Sequence, residues 1–268
     1  MQSVLSSQAH SNTSQGSGSV EILGVRVCKM RMADVLEYCE QHIDQRRPVQ
    51  LGMVNAAKLV KCRSDAELCQ SVQESDIILA DGLPVVWLSR LMGNPLPERV
   101  AGIDIMYRLL ERASDRHYGV YFLGARCEVV QRVAEITRRD YPGVRVCGYR
   151  DGYFAEADEE QVADDIRNSA SDILFVAMTS PRKETFMQRW GTHMQVPVCH
   201  GVGGSFDVMA GVTKRAPLWM QRCGLEWLYR VVQEPGRMWK RYLVTNSIFM
   251  WLSLAQIGAC RLRSRDRG

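Results

Sequence analysis

Several signatures of metal, redox or secreted proteins are missing from this chain of 268 residues. Its nine cysteines form no Cys-x-x-Cys pair, and some of them, such as Cys147 and Cys199, sit inside apolar runs, which is typical of reduced core thiols in a cytosolic protein. The sequence also contains no Asp-x-Asp, His-x-His or His-Glu-x-x-His motif. We therefore expect no disulfide framework, no zinc site and chemistry that needs no bound metal or other cofactor.

An apolar leader and a long uninterrupted apolar run are absent too. The N-terminus is polar and lacks the basic and apolar regions of a secretory signal, so residues 1–18 are predicted to form a disordered tail. The best candidate for a membrane span, Tyr242–Cys260, is interrupted by polar residues. Its cleanest apolar part, Ile248–Ala255, is much shorter than the roughly 20 residues that a span requires. We expect this segment to lie in the membrane interface.

Charge is distributed unevenly along the chain. From Lys214 to Gly268 there are 11 basic and 3 acidic residues, whereas the preceding part holds 23 basic and 27 acidic residues. Four of the six tryptophans lie in the same C-terminal region. This bias favours an anionic membrane surface as partner; a terminal helix with a solvated basic face is the plainer alternative. Nucleic acid is not expected, because the aromatic residues form an amphipathic stripe and not a known readout module.

The body of the chain alternates short apolar runs with helical patterns. This alternation predicts an α/β fold, a Rossmann-like, mainly parallel sheet with helices on both faces, over residues 19–212. A helical membrane-binding appendage is predicted over residues 213–268. Parallel sheets of this kind bind ligands outside the carboxyl ends of their strands. The predicted elements are a hairpin arm over Val20–Val27 and strands at Val49–Val54, Asp76–Ala80, Tyr118–Leu123, Val144–Tyr149, Asp172–Met178 and Val196–Val202.

Three polar residues near predicted strand ends are candidates for chemistry. Asp81 could accept a proton from a sugar hydroxyl as a general base, or it could serve a turn or cap the next helix. Asn55 could bind a nucleotide or sugar, but capping of the following helix is the simpler interpretation. Arg99 could hold a phosphate in a bidentate manner, or pair with Glu98 or Asp104.

Two later segments add further candidates. In Thr179–Glu184, Lys183 and Glu184 could contribute to an anion or sugar site, and Ser180 could cap a helix there. A glycine cluster then allows close approach of the backbone to a ligand, although it matches neither Gly-x-Gly-x-x-Gly nor a Walker A loop. Asp207 after this cluster could bind a sugar or cap a turn. The glycines of the cluster are Gly201, Gly203 and Gly204.

Together these segments resemble the WecG/TagA/CpsF family of bacterial glycosyltransferases (glycosyltransferase family 26). The resemblance runs from about Val20 to Leu243 and is densest in LADGLPVVW, ERVAGIDIM, FLGAR, SPRKE and the long segment that starts at GVGGSFDVMAG. It implies sugar transfer from a UDP-sugar to a polyprenyl-diphosphate-linked saccharide in surface polysaccharide synthesis. It further implies an inverting, metal-independent reaction, a peripheral location at the cytoplasmic face of the inner membrane, and a core that self-associates away from lipid.

The resemblance also implies roles for individual residues. Asp81 matches the proposed catalytic base, Asn55 an asparagine near the nucleotide-sugar site, and Arg99 an active-site arginine. The appendage cations implied to reach the diphosphate are Arg230, Arg237 and either Lys240 or Arg241.

Two departures from the family pattern leave the donor sugar open. The family commonly has threonine where this chain has Met53, and glutamine where it has Lys183. N-acetylmannosamine is the commonest donor sugar of the family, and glucose or a uronic acid that pairs with Lys183 are alternatives. Two other function classes stay open. One is a dinucleotide-dependent oxidoreductase, against which the missing Gly-x-Gly-x-x-Gly motif argues, and the other is a non-catalytic membrane scaffold.

Overall fold

The computed structural model describes residues 18–265, without the side chains of Arg237, Met238, Arg241, Arg261 and residues 263–265. The predicted N-terminal tail, apart from Gly18, lies outside these described residues. The last three residues of the predicted appendage, 266–268, lie outside them as well.

The fold is built on a six-stranded parallel sheet preceded by a small hairpin. The sheet order is β4-β3-β8-β7-β5-β6, and every neighbouring pair is parallel. In the antiparallel β1-β2 hairpin both turn residues, Leu23 and Gly24, have positive φ (50° and 85°), as in a type I′ turn. The strands are β1 Ser19–Ile22, β2 Val25–Cys28, β3 Val49–Val54, β4 Ile77–Ala80, β5 Gly119–Gly124, β6 Arg145–Arg150, β7 Ile173–Ala177 and β8 Val198–Gly201.

Helices connect the strands and cover both faces of the sheet. They are α1 Met32–Asp44, α2 Ala56–Lys61, α3 Ala66–Gln73, α4 Leu83–Leu91, α5 Gly102–Arg116, α6 Cys127–Asp140, α7 Glu159–Asn168, α8 Arg182–Met194 and α9 Ser205–Met209. On one face Phe122 and Phe175, with ring centroids 5.9 Å apart, pack with residues of α1, α5 and α6. On the other face Leu174 packs with α7 and α8, and Val54 packs with α2, α3, α4 and the hairpin.

The predicted α/β class is confirmed. Each predicted strand is present. Strands β3, β4, β5, β7 and β8 are almost fully buried because their residues are apolar on both faces and two layers of helices cover them. The edge strand β6 is only partly buried. Helix α3 was not predicted, since only Leu68, Ser71 and Val72 of its eight residues are buried. The predicted boundary near residue 212 falls in the connection that follows α9.

Three helices form the C-terminal part of the described chain: α10 Leu218–Arg222, α11 Glu226–Gln233 and α12 Pro235–Arg265. Helix α12 packs against α2 and the hairpin. Phe249 is buried there, and the Gln256 amide donates to the Glu21 carbonyl and accepts from the Leu23 N–H (3.0 and 3.1 Å). The segment Tyr242–Cys260 of this helix is long and apolar enough, with a mean hydropathy of 1.4, to be a candidate membrane span. Its sequence predicted instead that it lies in the membrane interface, because polar residues interrupt its apolar run.

Candidate active site

The carboxyl ends of β4, β3 and β8 meet at one edge of the sheet and bring predicted residues together. Asp81 follows β4 directly, Asn55 follows β3, and Gly201 ends β8. The Asp81 N–H donates to the Val54 carbonyl at 2.8 Å. Gly82 lies so close to Asn55 that an added Cβ would be 3.3 Å from the Asn55 Cβ. This edge is the place where doubly wound sheets bind ligands.

The Asp81 carboxylate is fixed by the start of α5. Its Oδ1 accepts the N–H of Gly102, the first residue of that helix, at 3.0 Å. Free N–H groups and the helix dipole favour an anion at such a terminus. The expected alternative, a cap of α4, is wrong because the residue in the N-cap position is Gly82, without a side-chain cap. Asp81 is only half-buried.

A buried histidine supports the same helix terminus. His200 on β8 lies 2.9 Å through Nε2 from the Gly102 carbonyl oxygen. Burial lowers the pKa of His200 to about 4, so the ring is neutral at pH 7. Because the carbonyl can only accept, Nε2 carries the proton, and Nδ1 is buried with no hydrogen-bond partner in the described part of the chain. Beyond its place in an apolar strand, no sequence pattern marks this residue.

Asn55 caps the helix that follows it, which confirms the simpler of its two interpretations. Its Oδ1 accepts the Lys58 N–H at 3.0 Å and caps α2. The amide nitrogen has no partner among the described residues, so the side chain can cap the helix and still donate to a ligand.

Two ammonium groups share one carboxylate beneath the glycine cluster. The Glu184 Oε1 lies 2.8 Å from the Lys58 Nζ and 3.3 Å from the Lys183 Nζ. Burial by itself would raise the pKa of Glu184, but Lys183 and Lys58 outweigh it and hold the pKa at about 2. Burial and Lys58 lower the pKa of Lys183, against the opposing effects of Glu184 and Asp81. The pairing of Glu184 with Lys58 was not predicted, because no sequence signal marks Lys58.

The glycine cluster leaves room for the Lys183 side chain. A Cβ on Gly201 would lie 2.8 Å from both the Cδ and the Cε of Lys183, and one on Gly203 would lie 4.0 Å from its Nζ. Gly204 is exposed in the N-cap position of α9. Asp207 on α9 is half-buried; burial raises its pKa and Arg126 lowers it. Ser180 does not cap α8, whose N-cap residue is Pro181, without a side-chain cap.

Arg99 joins the core to the C-terminal helices. Its Nη1 donates to the Glu226 Oε2 at 2.5 Å, and its Nη2 lies 3.6 Å from the Asp104 Oδ2. Pairing with Asp104 was one expected alternative, whereas Glu98 instead accepts the Met32 N–H.

A second appendage residue pairs with the same aspartate. Arg215 binds Asp104 through both terminal nitrogens (2.6 and 2.9 Å). The Arg215 Nε is buried and has no hydrogen-bond partner within residues 18–265. These ion pairs connect the core with residues beyond 212.

A cavity of about 320 Å³ lies between α4 and α10. Gly224, with φ 69°, lets the α10–α11 connection approach α4 so closely that an added Cβ would be 2.9 Å from the Trp87 ring. The cavity has the size of a small-ligand pocket, roughly 300–1,000 Å³. Its lining combines cationic and apolar side chains: Leu83, Arg99, Leu218, Gln221 and Arg222.

The role predicted for the appendage cations Arg230, Arg237 and Lys240 stays a prediction. Arg230 and Lys240 are exposed on α11 and α12, and the side chain of Arg237 lies outside the described residues. Among the described residues, two appendage arginines without a predicted role contact the core or the cavity: Arg215 pairs with Asp104 of the core, and Arg222 lines the cavity. Within residues 18–265, no three His, Cys, Asp or Glu side chains cluster as metal ligands.

Comparison with known proteins matches nearly the whole chain to one family. The model described as "Glycosyl transferase WecG/TagA/CpsF family" matches residues 20–263. An N-acetylglucosaminyldiphosphoundecaprenol N-acetyl-beta-D-mannosaminyltransferase of Bacillus spizizenii is 41% identical over 172 residues, 64% of this chain and 66% of that protein. A protein of the same name from Bacillus subtilis is 36% identical over 213 residues, 79% of this chain and 82% of that protein.

Proposed function

Because the chain belongs to the WecG/TagA/CpsF family of glycosyltransferases, we propose that it transfers a hexose derivative from a UDP-sugar to a saccharide linked to a polyprenyl diphosphate. The observation that carries this proposal is the position of Asp81, a half-buried carboxylate fixed by a helix terminus at the carboxyl edge of the sheet. Family membership also decides against the oxidoreductase and the non-catalytic scaffold as alternatives.

The proposed mechanism is a direct displacement. Asp81 accepts the proton of the acceptor hydroxyl while that oxygen attacks the anomeric carbon, and the bond to UDP breaks on the opposite face. General-base help of this kind contributes about 10²–10⁴-fold. The negative charge that develops on the leaving diphosphate requires preorganised donors. Arg99 and Arg222 line the cavity, and Arg222 pairs with no carboxylate among the described residues. We propose no metal in this step.

The names of the relatives support a polyprenyl-diphosphate acceptor and favour N-acetylmannosamine as the transferred sugar. Two residues are relevant to sugar choice. Met53 is buried in the core against Gly102, and the Lys183 ammonium is engaged by Glu184. Since Lys58 shares the same carboxylate, the three groups keep one net positive charge, and a uronic acid donor stays among the three sugars considered.

We further propose that the enzyme binds the cytoplasmic face of the inner membrane through α12. Several large apolar side chains are each more than 60% exposed and lie within about 120° of one another around the helix axis. The opposite side of the helix carries Phe249 and Gln256, which contact the body. This division supports a helix that lies on the membrane with one side in lipid. The exposed residues are Leu243, Met250, Trp251, Leu254 and Leu262.

The test of this function is UDP release from a panel of UDP-sugars, with a polyprenyl-diphosphate-linked N-acetylglucosamine as acceptor. We expect turnover with UDP-N-acetylmannosamine, with UDP-glucose and a UDP-uronic acid as comparisons, and no change on adding EDTA. Asp81→Asn should lower turnover about 10²–10⁴-fold without weakening UDP binding. Asp115→Asn, on the exposed part of α5, is the control. Normal turnover in Asp81→Asn would remove Asp81 from the mechanism.

A further inference from the structure

One carboxylate of the appendage lies at the candidate active site without an assigned role. Glu226 is the first residue of α11, and its side chain reaches back to the core. Its Oε2 accepts a hydrogen bond from the Arg99 Nη1 at 2.5 Å. The Arg99 side chain is only 12% exposed, so Glu226 covers one of the few accessible donors of this guanidinium.

Glu226 sits on a cation that a substrate could use. Arg99 lines the cavity between α4 and α10, together with Arg222. Carboxylate and phosphate oxygens bind a guanidinium in the same planar, bidentate manner. A carboxylate on Arg99 therefore takes the place that a phosphate oxygen would occupy.

The surroundings of Glu226 partly disfavour the charged form of its carboxyl group. Burial raises its pKa, Arg99 lowers it, and the nearby Asp81 raises it again. Arg215 and Arg230 are further cations that face this carboxylate. A diphosphate entering the cavity would add negative charge beside Glu226 and Asp81. The like charges would repel one another, and Glu226 is the one carried by a separate helical segment.

We propose that Glu226 is a displaceable internal anion, which holds Arg99 in the substrate-free enzyme and gives way to the diphosphate of a substrate. The proposal rests on the glycosyltransferase function proposed above. The second ion pair, between Arg215 and Asp104, keeps the appendage attached while Glu226 leaves Arg99. Substrate binding is thereby linked to the position of α11.

The direct test is the affinity of the intact enzyme for UDP, inorganic pyrophosphate and farnesyl diphosphate, measured by titration calorimetry. Glu226→Gln removes the competing charge but keeps the size of the side chain. We expect its Kd for at least one of these probes to fall about three- to tenfold. Glu226→Asp should restore the affinity of the unaltered enzyme, and Glu160→Gln on the exposed side of α7 should leave it unchanged. The probe whose affinity rises more in Glu226→Gln shows whether a nucleotide or a lipid diphosphate displaces Glu226.

A purely structural role of Glu226 gives a different result. In that case Glu226→Gln would lower thermal stability and leave all three affinities equal or weaker, which overturns the proposal. Hydrogen exchange of the unaltered enzyme provides a test without mutation. Addition of UDP or farnesyl diphosphate should speed the exchange of the backbone amides of α11. Unchanged or slower exchange of these amides also overturns the proposal. If UDP binds normally but neither change appears, only this inference fails. If no diphosphate binds at all, the proposed function fails with it.

Discussion

Removal of the buried carboxylate of Glu184 should destabilise the fold severely, because two ammonium groups depend on it. Glu184 lies between Lys58 and Lys183, and the side chains of all three are at most 13% exposed. In Glu184→Gln the two lysines lose their counterion and repel each other in a desolvated site. Removal of one partner from a buried ion pair lowers folding stability by about 3–5 kcal/mol.

The pKa of Glu184 gives a second estimate of the same size. Its folded-state pKa is about 2, compared with an ordinary value of 4.5. A difference of this size corresponds to about 3 kcal/mol of folding stability at neutral pH. Since the folded pKa is depressed, this contribution is complete above pH 4.5 and is lost as the pH falls towards 2. The difference in stability between the wild type and Glu184→Gln should shrink over that window.

Chemical denaturation, followed by tryptophan fluorescence from pH 7 down to pH 2.5, measures this difference. Glu160→Gln, an exposed glutamate on α7, is the control and should change stability by less than about 0.5 kcal/mol. Lys183→Gln should cost less than Glu184→Gln, because the pair of Lys58 and Glu184 survives. A loss below about 1 kcal/mol at pH 7, or one that does not vary with pH, would refute the reasoning.

Two further predictions concern catalysis and membrane binding. His200→Phe removes the hydrogen bond to the Gly102 carbonyl. Because Gly102 positions Asp81, this variant should have a lower kcat with little change in UDP affinity. If it folds normally by circular dichroism and is as active as the wild type in the UDP-release assay, a positioning role of His200 is excluded. The double substitution Trp251→Glu and Leu254→Glu should abolish flotation with vesicles of anionic lipid, because it places two charges on the exposed side of α12, whereas unchanged flotation would show that another surface carries the binding.

The sheet and its helices could be predicted from the sequence because apolar runs and helical spacing are local properties. The strand before Asp81 and the one before Asn55 were recognised from a few consecutive residues each, and this was enough to place both side chains at the ligand-binding edge. Helix α3 was missed because it buries too few apolar residues to show a period. Self-association, which only the family resemblance implied, stays a prediction.

The site itself depends on residues that are far apart in the sequence. Arg99 meets Glu226 across 127 positions, and Lys58 meets Glu184 across 126. Nothing in the local pattern of either lysine or glutamate marks such a partner. The prediction of Lys183 as a sugar-binding cation came from its local segment, and only the tertiary structure shows that it shares the Glu184 carboxylate with Lys58.

The sequence by itself determined the α/β class, the strand ends that carry Asp81 and Asn55, and the basic, aromatic character of the C-terminal region, because each of these follows from neighbouring residues. Only the tertiary structure decided which charges meet: that Asp81 is held by α5, that Glu226 covers Arg99, and that α12 exposes one apolar side. Charges interact through space, so their partners are fixed by how the chain folds back on itself and not by their order along it.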